Sequence, residues 1–385
     1  MDNIIKEILH REEQRQQDTI ELIASENFAS DAVRELSGSV FTNKYAEGYP
    51  DARYYNGCEH MDEIEVYAQE QLKELFGYNH VNVQPHSGAN ANLAVMNAVL
   101  KPGDTIVSMD LSAGGHLSHG ASVNISGKLY EVAHYGINYA NDTIDTELMR
   151  RAVLHHRPKL LIVGASAYPR QIPWHLFRNA ADELDSDCLV LADIAHYSGL
   201  IAGGSYQGPE HHADIVTSTT HKTLRGPRGG VIMWNDNELT KKINSSVFPG
   251  TQGGPLMHQI AAKAQAFTEA LEPEFKVYAR AVVDNAIAMT DVFKQRGVKL
   301  QTDGTDSHII LLNFSQDVNS GQVIANALEE HGITVNKNSV PNDPKGFRET
   351  SGIRIGTAAE TTRGKTQKEF EDIAHKICDI VENLI

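Results

Sequence analysis

The chain has 385 residues, of which 41% are hydrophobic and 22% are charged. This length and composition predict a folded globular protein with one large and one smaller domain, each able to bury a core. The formal net charge of −16 argues against nucleic acid and anionic membranes as partners, although it allows local basic pockets.

The cysteines and the N-terminal residues indicate the cellular compartment. Cys58, Cys188 and Cys378 are widely spaced and form no Cys-x-x-Cys pattern, which argues against a disulfide framework and against a metal site. Residues 1–17 contain no apolar run that resembles a signal peptide or a membrane span. The sequence therefore predicts a cytoplasmic protein.

The N-terminal part combines a predicted helix over 3–17 with two segments that carry candidate site residues. Ser25 follows an apolar stretch that turns polar, and we interpret it as a site residue. Residues 43–59 hold four tyrosines among glycines and a proline, which favours a pocket rim over an Ω-like packing loop. There, Glu47 and Tyr55 supply an acid/base and a hydroxyl.

Between residues 81 and 235 strand-like and helix-like segments alternate, which predicts a mostly parallel α/β sheet with right-handed crossovers. The predicted strands are 80–84, 105–109, 159–163, 188–192, 215–218 and 231–234. The predicted helices are 60–75, a helix ending at 100, 143–155 and 174–184.

A long helix over 274–296 is predicted to lead into a second, α+β domain. That domain has predicted strands at 298–300, 308–314 and 333–335, a helix over 322–331, and a last helix that opens with a capping box at Thr366 and Glu369. We divide the chain into an N-terminal arm (1–60), a large domain (61–270) and a small domain (271–385).

Three sets of candidate residues lie after predicted strands. The Ser87-Gly88 turn before a small-residue helix predicts a phosphate cradle, the alternative being a simple Ser N-cap. Asp193 ends a buried strand, at the edge where open α/β sheets bind ligands, and there it can pair with a protonated pyridine nitrogen. His116, flanked by glycines, is a candidate for stacking on a flat ring, although lone histidines are more often structural.

Residues 214–230 contain the strongest candidate, Lys222. They read Asp-Ile-Val-Thr-Ser-Thr-Thr-His-Lys-Thr-Leu-Arg-Gly-Pro-Arg-Gly-Gly. A lysine at the end of a buried strand, with its pKa lowered by burial and nearby cations, can form the Schiff base of a pyridoxal phosphate enzyme. The alternative is a surface lysine in a basic loop.

Arg354 is flanked by apolar residues, which is a poor position for a solvated charge. We therefore interpret its planar guanidinium as a group that binds a carboxylate.

Taken together, these motifs closely resemble the serine hydroxymethyltransferase family, whose members are pyridoxal phosphate enzymes of the aspartate aminotransferase fold (fold type I). The resemblance covers nearly the whole chain. Its motifs are Glu21-Leu-Ile-Ala-Ser-Glu-Asn, Asn43-Lys-Tyr-Ala-Glu-Gly-Tyr-Pro, Gln84-Pro-His-Ser-Gly, Gly114-Gly-His-Leu, Thr219-Thr-His-Lys-Thr-Leu-Arg-Gly-Pro-Arg-Gly-Gly, Asn338-Ser-Val-Pro-Asn-Asp and Ser351-Gly-Ile-Arg.

The resemblance implies pyridoxal 5'-phosphate, held as a Schiff base on Lys222. Asp193 would face the pyridine nitrogen and His116 would stack on the ring. The full implied set of cofactor residues is Tyr45, Ser87, Gly88, Ala89, His116, Ser166, Asp193, His196, Thr219, His221, Lys222 and Gly253, the last from a partner subunit.

The family also implies the substrates, serine or glycine with tetrahydrofolate as co-substrate, and the reversible hydroxymethyl transfer that gives 5,10-methylenetetrahydrofolate. The implied catalytic residues are Lys222, Glu47, Tyr55 and His221, with Glu47 and Tyr55 contributed across a homodimer interface. The amino acid would be held by Ser25, Glu47, Tyr55, His196 and Arg354. The folate would lie near Leu111, Gly115, His116, Leu117, Asn338, Gly346, Phe347 and Arg348.

Two departures from the family pattern keep alternatives open. Residues 346–349, Gly-Phe-Arg-Glu, stand where the family usually has Ser-Pro-Phe, so a folate-independent threonine or allo-threonine aldolase and an α-methylserine hydroxymethyltransferase remain alternatives. The chain ends at Ile385, where relatives usually continue with another helical stretch; we expect this to affect closing of the small domain more than chemistry. A regulatory cofactor-binding or RNA-binding protein without catalysis is a third alternative, against which the joint presence of the catalytic residues argues.

Overall fold

The computed structural model describes residues 2–346 and 348–384. The helices are α1 (Asn3–Asp18), α2 (Asp31–Ser37), α3 (Glu59–Phe76), α4 (Gly88–Val99), α5 (Ile125–Leu129), α6 (Thr146–His156), α7 (Trp174–Asp182), α8 (Ser198–Ala202), α9 (Asn237–Ser245), α10 (Met257–Leu271), α11 (Pro273–Gln295), α12 (Gly321–Glu330), α13 (Ala358–Thr362) and α14 (Gln367–Glu382). The strands are β1 (Ile20–Glu21), β2 (Gly48–Tyr49), β3 (Ala52–Arg53), β4 (His80–Asn82), β5 (Thr105–Met109), β6 (Glu131–Tyr135), β7 (Ile137–Asn138), β8 (Thr143–Ile144), β9 (Leu160–Val163), β10 (Leu189–Asp193), β11 (Ile215–Thr219), β12 (Gly230–Trp234), β13 (Ile309–Asn313), β14 (Ile333–Thr334), β15 (Asn336–Asn338) and β16 (Gly352–Gly356).

A seven-stranded sheet, in the order β4-β12-β11-β10-β9-β5-β6, organises the larger part of the chain. Strand β12 runs antiparallel to both of its neighbours, and the other pairings are parallel. Every residue of β9 and β11 is buried, as expected for strands covered by helices on both faces. The predicted α/β fold with a mostly parallel seven-stranded sheet is therefore confirmed.

Alternate residues of the central strands enter two different apolar cores. Val107, Leu161 and Val216 belong to one core, whereas their neighbours Ile106, Leu160 and Ile215 belong to the core on the opposite face. This follows from the two-residue period of a strand, which sends successive side chains to opposite faces. Rigid packing on both faces fixes the ends of the strands, where the candidate residues lie.

Helix α11 connects the large sheet with the smaller C-terminal part. Its first half contributes Phe275 and Val282 to a core under the large sheet, and its second half contributes Met289 and Phe293 to a separate core. That second core also contains residues of helix α14 and of β13 and β16, two strands of the three-stranded antiparallel sheet β13-β16-β15. The α+β character of this part agrees with the sequence, while the boundary placed at residue 270 stays a prediction.

The N-terminal segment reaches the C-terminal part of the chain, where β1 pairs in parallel with β14. Its continuation then runs back to the large part, where Asn27 Nδ2 donates to the carbonyl of Lys222 at 3.0 Å. Helix α1 buries none of its residues within the chain. No helix among the described residues has both the length and the apolar character needed to cross a bilayer.

Several predicted boundaries were wrong. Helix α6 begins at Thr146 rather than at 143, because Asp145 caps it and the two residues before the cap pair with β7. The predicted strand at 298–300 is reduced to a single bridge between Leu300 and Leu312. Strand β6 and helices α9 and α10 were missed. The capping box of α14 at Thr366 and Glu369 is present as predicted.

Candidate active site

A cavity of about 330 Å³ lies where β9, β10 and β11 end and α4 begins. Its position at the carboxyl edge of a parallel sheet is the usual ligand position in open α/β folds. Its lining contains these residues predicted from the sequence: Ser25, Ser87, Gly88, Ala89, His116, Ser166, Asp193, His196, Thr219, His221 and Lys222. It also contains Asn92, His119, Ala165, Ala195 and Arg228, which the sequence did not single out.

Lys222 lies three residues beyond the end of β11 and is buried. The tight loop that follows is closed by hydrogen bonds from the Arg225 amide to the Lys222 carbonyl (3.0 Å) and from the Gly226 amide to the Thr220 carbonyl (2.7 Å). The pKa of Lys222 is lowered to about 8, mainly by burial; Asp193 opposes this shift, and Arg354 and Arg228 add to it. About a tenth of this amine is thus neutral, and therefore nucleophilic, at pH 7, far more than for an ordinary lysine.

Asp193 is the last residue of β10 and is held by three donors. Its Oδ2 accepts from Nε2 of His119 and from Nδ2 of Asn92, both at 2.8 Å, and its Oδ1 accepts from the Ala195 amide at 3.0 Å. Burial by itself would raise the pKa of this carboxyl, but the contacts with His119 and Asn92 outweigh burial and lower it. Asp193 is therefore ionised and retains acceptor capacity for a further cationic N–H.

The start of α4 forms a compact anion cradle. Ser87 caps the helix by accepting from the Asn90 amide at 3.2 Å. The amides of Gly88 and Ala89 have no intrahelical acceptor, because they lie in the first turn. A Cβ at Gly88 would lie 2.7 Å from Cγ2 of Thr219, which shows how closely the cradle and the end of β11 approach. Free amides at a helix N-terminus are suited to a phosphate.

Three histidines in the cavity are held neutral by burial. The pKa of His116 is lowered to about 4, that of His221 to about 3, and that of His196 well below its ordinary value, in each case mainly by burial. Nδ1 of His221 is buried and has no hydrogen-bond partner among the described residues. A cradle, an ionised carboxylate, neutral rings and an unpartnered ring nitrogen around one lysine fit a phosphorylated pyridine cofactor.

Arg354 does not line this cavity but adjoins it. It lies on β16, donates from Nη1 to the Ser166 carbonyl at 2.6 Å and from Nε to the Asn336 side chain at 3.0 Å. Burial lowers its pKa to about 10, so the guanidinium remains charged at neutral pH. The Arg354 guanidinium is thus buried next to Ser166, which lines the cavity. Its predicted role in binding a carboxylate stays a prediction.

A second cluster consists of the exposed residues Tyr45, Tyr55 and Gly253 and the half-buried Glu47. The tyrosine hydroxyls lie 3.4 Å (Tyr45) and 3.3 Å (Tyr55) from the Glu47 carboxylate, and the two rings meet edge to face at 5.3 Å. A Cβ on Gly253 would lie 3.4 Å from the same carboxylate. None of these four residues lines the Lys222 cavity of its own chain within the part of the chain described.

The residues predicted to bind folate are only partly brought together. Leu111, His116 and Leu117 line a groove of about 680 Å³ beside the Lys222 cavity. Gly115 adjoins it, and its carbonyl accepts from Oγ of Ser166 at 2.7 Å. The groove lining, as far as the chain is described, does not include Asn338, Gly346 or Arg348, and Phe347 lies outside the described residues.

Those excluded residues are engaged elsewhere. The Asn338 side chain donates to the Ser339 carbonyl at 2.7 Å, the Gly346 carbonyl accepts from the Thr350 amide at 2.9 Å, and the Arg348 carbonyl accepts from Lys337. Their assignment to folate binding stays a prediction.

Sequence reasoning missed Asn92, His119 and Arg228. Arg228 stands inside the quoted 214–230 motif, so a second cation near Lys222 was available as a signal. Asn92 is a buried polar residue in a helix of small residues, a pattern that indicates a specific hydrogen-bond partner. His119 carries no local signal, because only the fold brings it to Asp193.

The fold is that of the fold type I pyridoxal phosphate enzymes, and the residues around Lys222 fit the cofactor of that class. A family model described as serine hydroxymethyltransferase matches residues 1–377. A serine hydroxymethyltransferase of Wolbachia pipientis subsp. Culex pipiens is 54% identical over 384 residues, which cover 100% of this chain and 90% of the relative. That of Hydrogenovibrio crunogenus is 51% identical over 383 residues, 99% of this chain and 90% of the relative.

The chain therefore belongs to the serine hydroxymethyltransferase family, whose members use pyridoxal phosphate with tetrahydrofolate as co-substrate. The resemblance inferred from its motifs is confirmed.

Proposed function

We propose that this chain catalyses the reversible conversion of serine and tetrahydrofolate into glycine, 5,10-methylenetetrahydrofolate and water, at a site completed by a second copy of the chain. One observation carries the proposal: a buried lysine with a pKa of about 8 shares a cavity with an ionised, triply hydrogen-bonded aspartate and a helix N-terminal cradle. This combination supports cofactor chemistry on an amino acid.

Bound pyridoxal phosphate supplies a ring that accepts the electron pair released when the Cα–Cβ bond of serine breaks. Lys222 would hold the cofactor covalently, which requires the neutral amine that burial favours. Asp193 stays ionised and would keep the ring nitrogen protonated, so that the ring remains electron-poor. Ser87, Gly88, Ala89 and Thr219, joined by Arg228, would hold the phosphate.

The carboxylate of the substrate amino acid would be oriented by a positively charged side chain. Arg354 and Ser25 would bind this group, and the guanidinium is already fixed by Ser166 and Asn336. Binding the carboxylate at a fixed point sets the angle of the Cα–Cβ bond to the cofactor ring. Buried neutral His196 and His221 offer ring nitrogens beside the reacting atoms without adding positive charge.

Glu47 and Tyr55 would handle the serine hydroxyl and its proton. The nearby carboxylate raises the pKa of Tyr55, so its hydroxyl remains a donor at neutral pH. Because their cluster does not line the Lys222 cavity of the same chain, we propose that they act in the cavity of a partner subunit, in a homodimer with shared sites.

Serine turnover by the purified protein, measured with and without tetrahydrofolate, tests the proposed function, with Lys222→Ala as the catalytic control. Strong acceleration by folate in the wild type and no turnover by the variant are expected. If serine turnover ignores folate while threonine or allo-threonine is cleaved readily, the chain is an aldolase and the folate residues are wrong. That outcome would agree with its altered 346–349 segment.

A further inference from the structure

Lys263 is a lysine of α10 that the proposed reaction does not use and that lies fully inside the protein, with 2% of its surface exposed. Its ammonium donates to three backbone carbonyls: Val83 at 2.6 Å, Pro85 at 3.0 Å and Gly230 at 2.9 Å. Only a protonated lysine can donate all three bonds at once, so this geometry favours the charged form. Within the described residues the ammonium makes no ion pair.

The three carbonyls belong to the two segments that build the back of the phosphate cradle. Val83 and Pro85 precede Ser87 in the turn between β4 and α4, and Gly230 begins β12. Gly230 packs directly under the cradle, because a Cβ there would lie 2.3 Å from the Ser87 carbonyl and 3.0 Å from the Gly88 amide. A shift of either segment would therefore move the amides at the start of α4.

A neighbouring glycine makes room for the lysine. A Cβ at Gly229 would lie 2.3 Å from Cε and 3.0 Å from Nζ of Lys263. The same turn is also tied to a loop from the other side, since Gln252 donates to the Gln84 carbonyl at 3.0 Å and accepts from the His86 amide at 2.9 Å. The turn that carries the cradle is thus held by the ammonium of Lys263 and, from a different loop, by the side-chain amide of Gln252.

We propose that Lys263 is a positioning residue for the cofactor phosphate: it holds the turn before α4 against β12 and places a positive charge behind the cradle. It does not touch the cofactor. Because it acts on the phosphate end alone, its contribution should be specific for phosphorylated pyridoxal. This inference rests on the proposed phosphate site at Ser87–Ala89.

Burial lowers the pKa of Lys263 to about 7, and Glu65 opposes the shift. The three carbonyls favour the protonated amine, and a bound phosphate would favour it further by adding a nearby negative charge.

The test removes the cofactor from purified holoenzyme and titrates it back, following the absorbance of the lysine-bound cofactor, with pyridoxal 5'-phosphate and with unphosphorylated pyridoxal. Lys263→Met keeps the length of the side chain and removes its charge and donors. We expect its affinity for pyridoxal phosphate to fall by about ten-fold or more and its affinity for pyridoxal to change by less than about two-fold. Gly229→Ala, which displaces the lysine, should shift the same ratio in the same direction. Lys276→Met, at an exposed lysine of α11, is the matched control.

The ratio of the two affinities is independent of the fraction of protein that folds, so a less stable variant remains informative. If Lys263→Met keeps the wild-type preference for the phosphorylated form, the inference is wrong, even if both affinities fall. If the wild type itself shows no preference for the phosphorylated form, the proposed phosphate site is wrong instead.

Discussion

Asn336 faces Arg354 across the antiparallel pair β15-β16 and accepts a hydrogen bond from its Nε at 3.0 Å. The Ser166 carbonyl accepts a second bond, from Nη1. Two fixed acceptors on one planar guanidinium restrict its rotation and leave further N–H donors for a substrate carboxylate. The orientation of the proposed carboxylate clamp is therefore set by a residue that need not contact the substrate.

Asn336→Ala should loosen Arg354 without removing it. We expect the KM for serine to rise by about 5- to 20-fold, with kcat changed by less than about three-fold, because substrate binding depends on the fixed guanidinium more than the bond-breaking step does. Steady-state kinetics measure both constants, and Asn326→Ala, at an exposed position of α12, serves as the control. A KM equal to that of the wild type would show that Asn336 does not orient the clamp.

Lys222 should destabilise the cofactor-free protein at neutral pH. Its pKa is about 8 in the fold against 10.5 for the unperturbed group, so folding must either bury a charged amine or release its proton. This difference corresponds to a cost on the order of 3 kcal/mol. Lys222→Met should therefore make the cofactor-free protein more stable.

The sign of the pH dependence follows from the lowered pKa. Below about pH 8 the lysine is protonated in both states and its full cost is present; as the pH rises from 8 towards 10.5 the cost disappears. Urea denaturation of the cofactor-free wild type and of Lys222→Met, at several pH values, should show an advantage for the variant at pH 7 that vanishes near pH 10.5. An advantage that grows with pH would contradict this account.

A substitution at Gly88 tests how closely the start of α4 must approach Thr219 for the phosphate to bind. A Cβ at this position would lie 2.7 Å from Cγ2 of Thr219, so Gly88→Ala must displace either the helix start or the threonine. We expect the affinity for pyridoxal phosphate to fall by about ten-fold. Thr219→Ser removes the clashing methyl group and keeps the hydroxyl, so the double variant Gly88→Ala/Thr219→Ser should bind more tightly than Gly88→Ala alone. Failure of this rescue would place the effect of the alanine elsewhere.

The sequence predicted those site residues that stand in local patterns. Asp193 ends an apolar strand, Lys222 follows one, and Ser87 begins a helix, so each could be placed from its neighbours in the chain. Arg354 could be found because a charged residue between apolar ones on a strand needs a partner. These signals lie within a few residues, which is the range over which strand and helix periodicity can be read.

Residues whose role depends on distant parts of the chain could not be found in this way. His119 meets Asp193 across 74 residues, and Lys263 reaches Val83 across 180. Helix α10, which carries Lys263, is buried along most of its length and rich in alanine, so it lacks the amphipathic period that marks a surface helix. Strand β8 was taken as the start of a helix because only Asp145 lies between the two elements, with no proline or glycine to separate them.

Sharing of the site between chains can be tested by mixing defective subunits. If Lys222 and Glu47 act in the same site but come from different chains, dimers formed from Lys222→Ala and Glu47→Gln chains contain one site with both residues intact. Random 1:1 pairing should then restore about a quarter of the wild-type activity, although each variant alone is inactive. Activity is measured after co-expression and purification of the mixed protein.

A second mixture gives the matched control. A chain that carries both substitutions, paired at random with wild-type chains, should leave about a quarter of the activity if sites are shared, because every mixed dimer then lacks Lys222 in one site and Glu47 in the other. If both residues act within one chain, each mixed dimer keeps one intact site and about half of the activity remains. Half activity in this control, together with no restoration in the first mixture, would place Glu47 in the site of its own chain and refute the shared site.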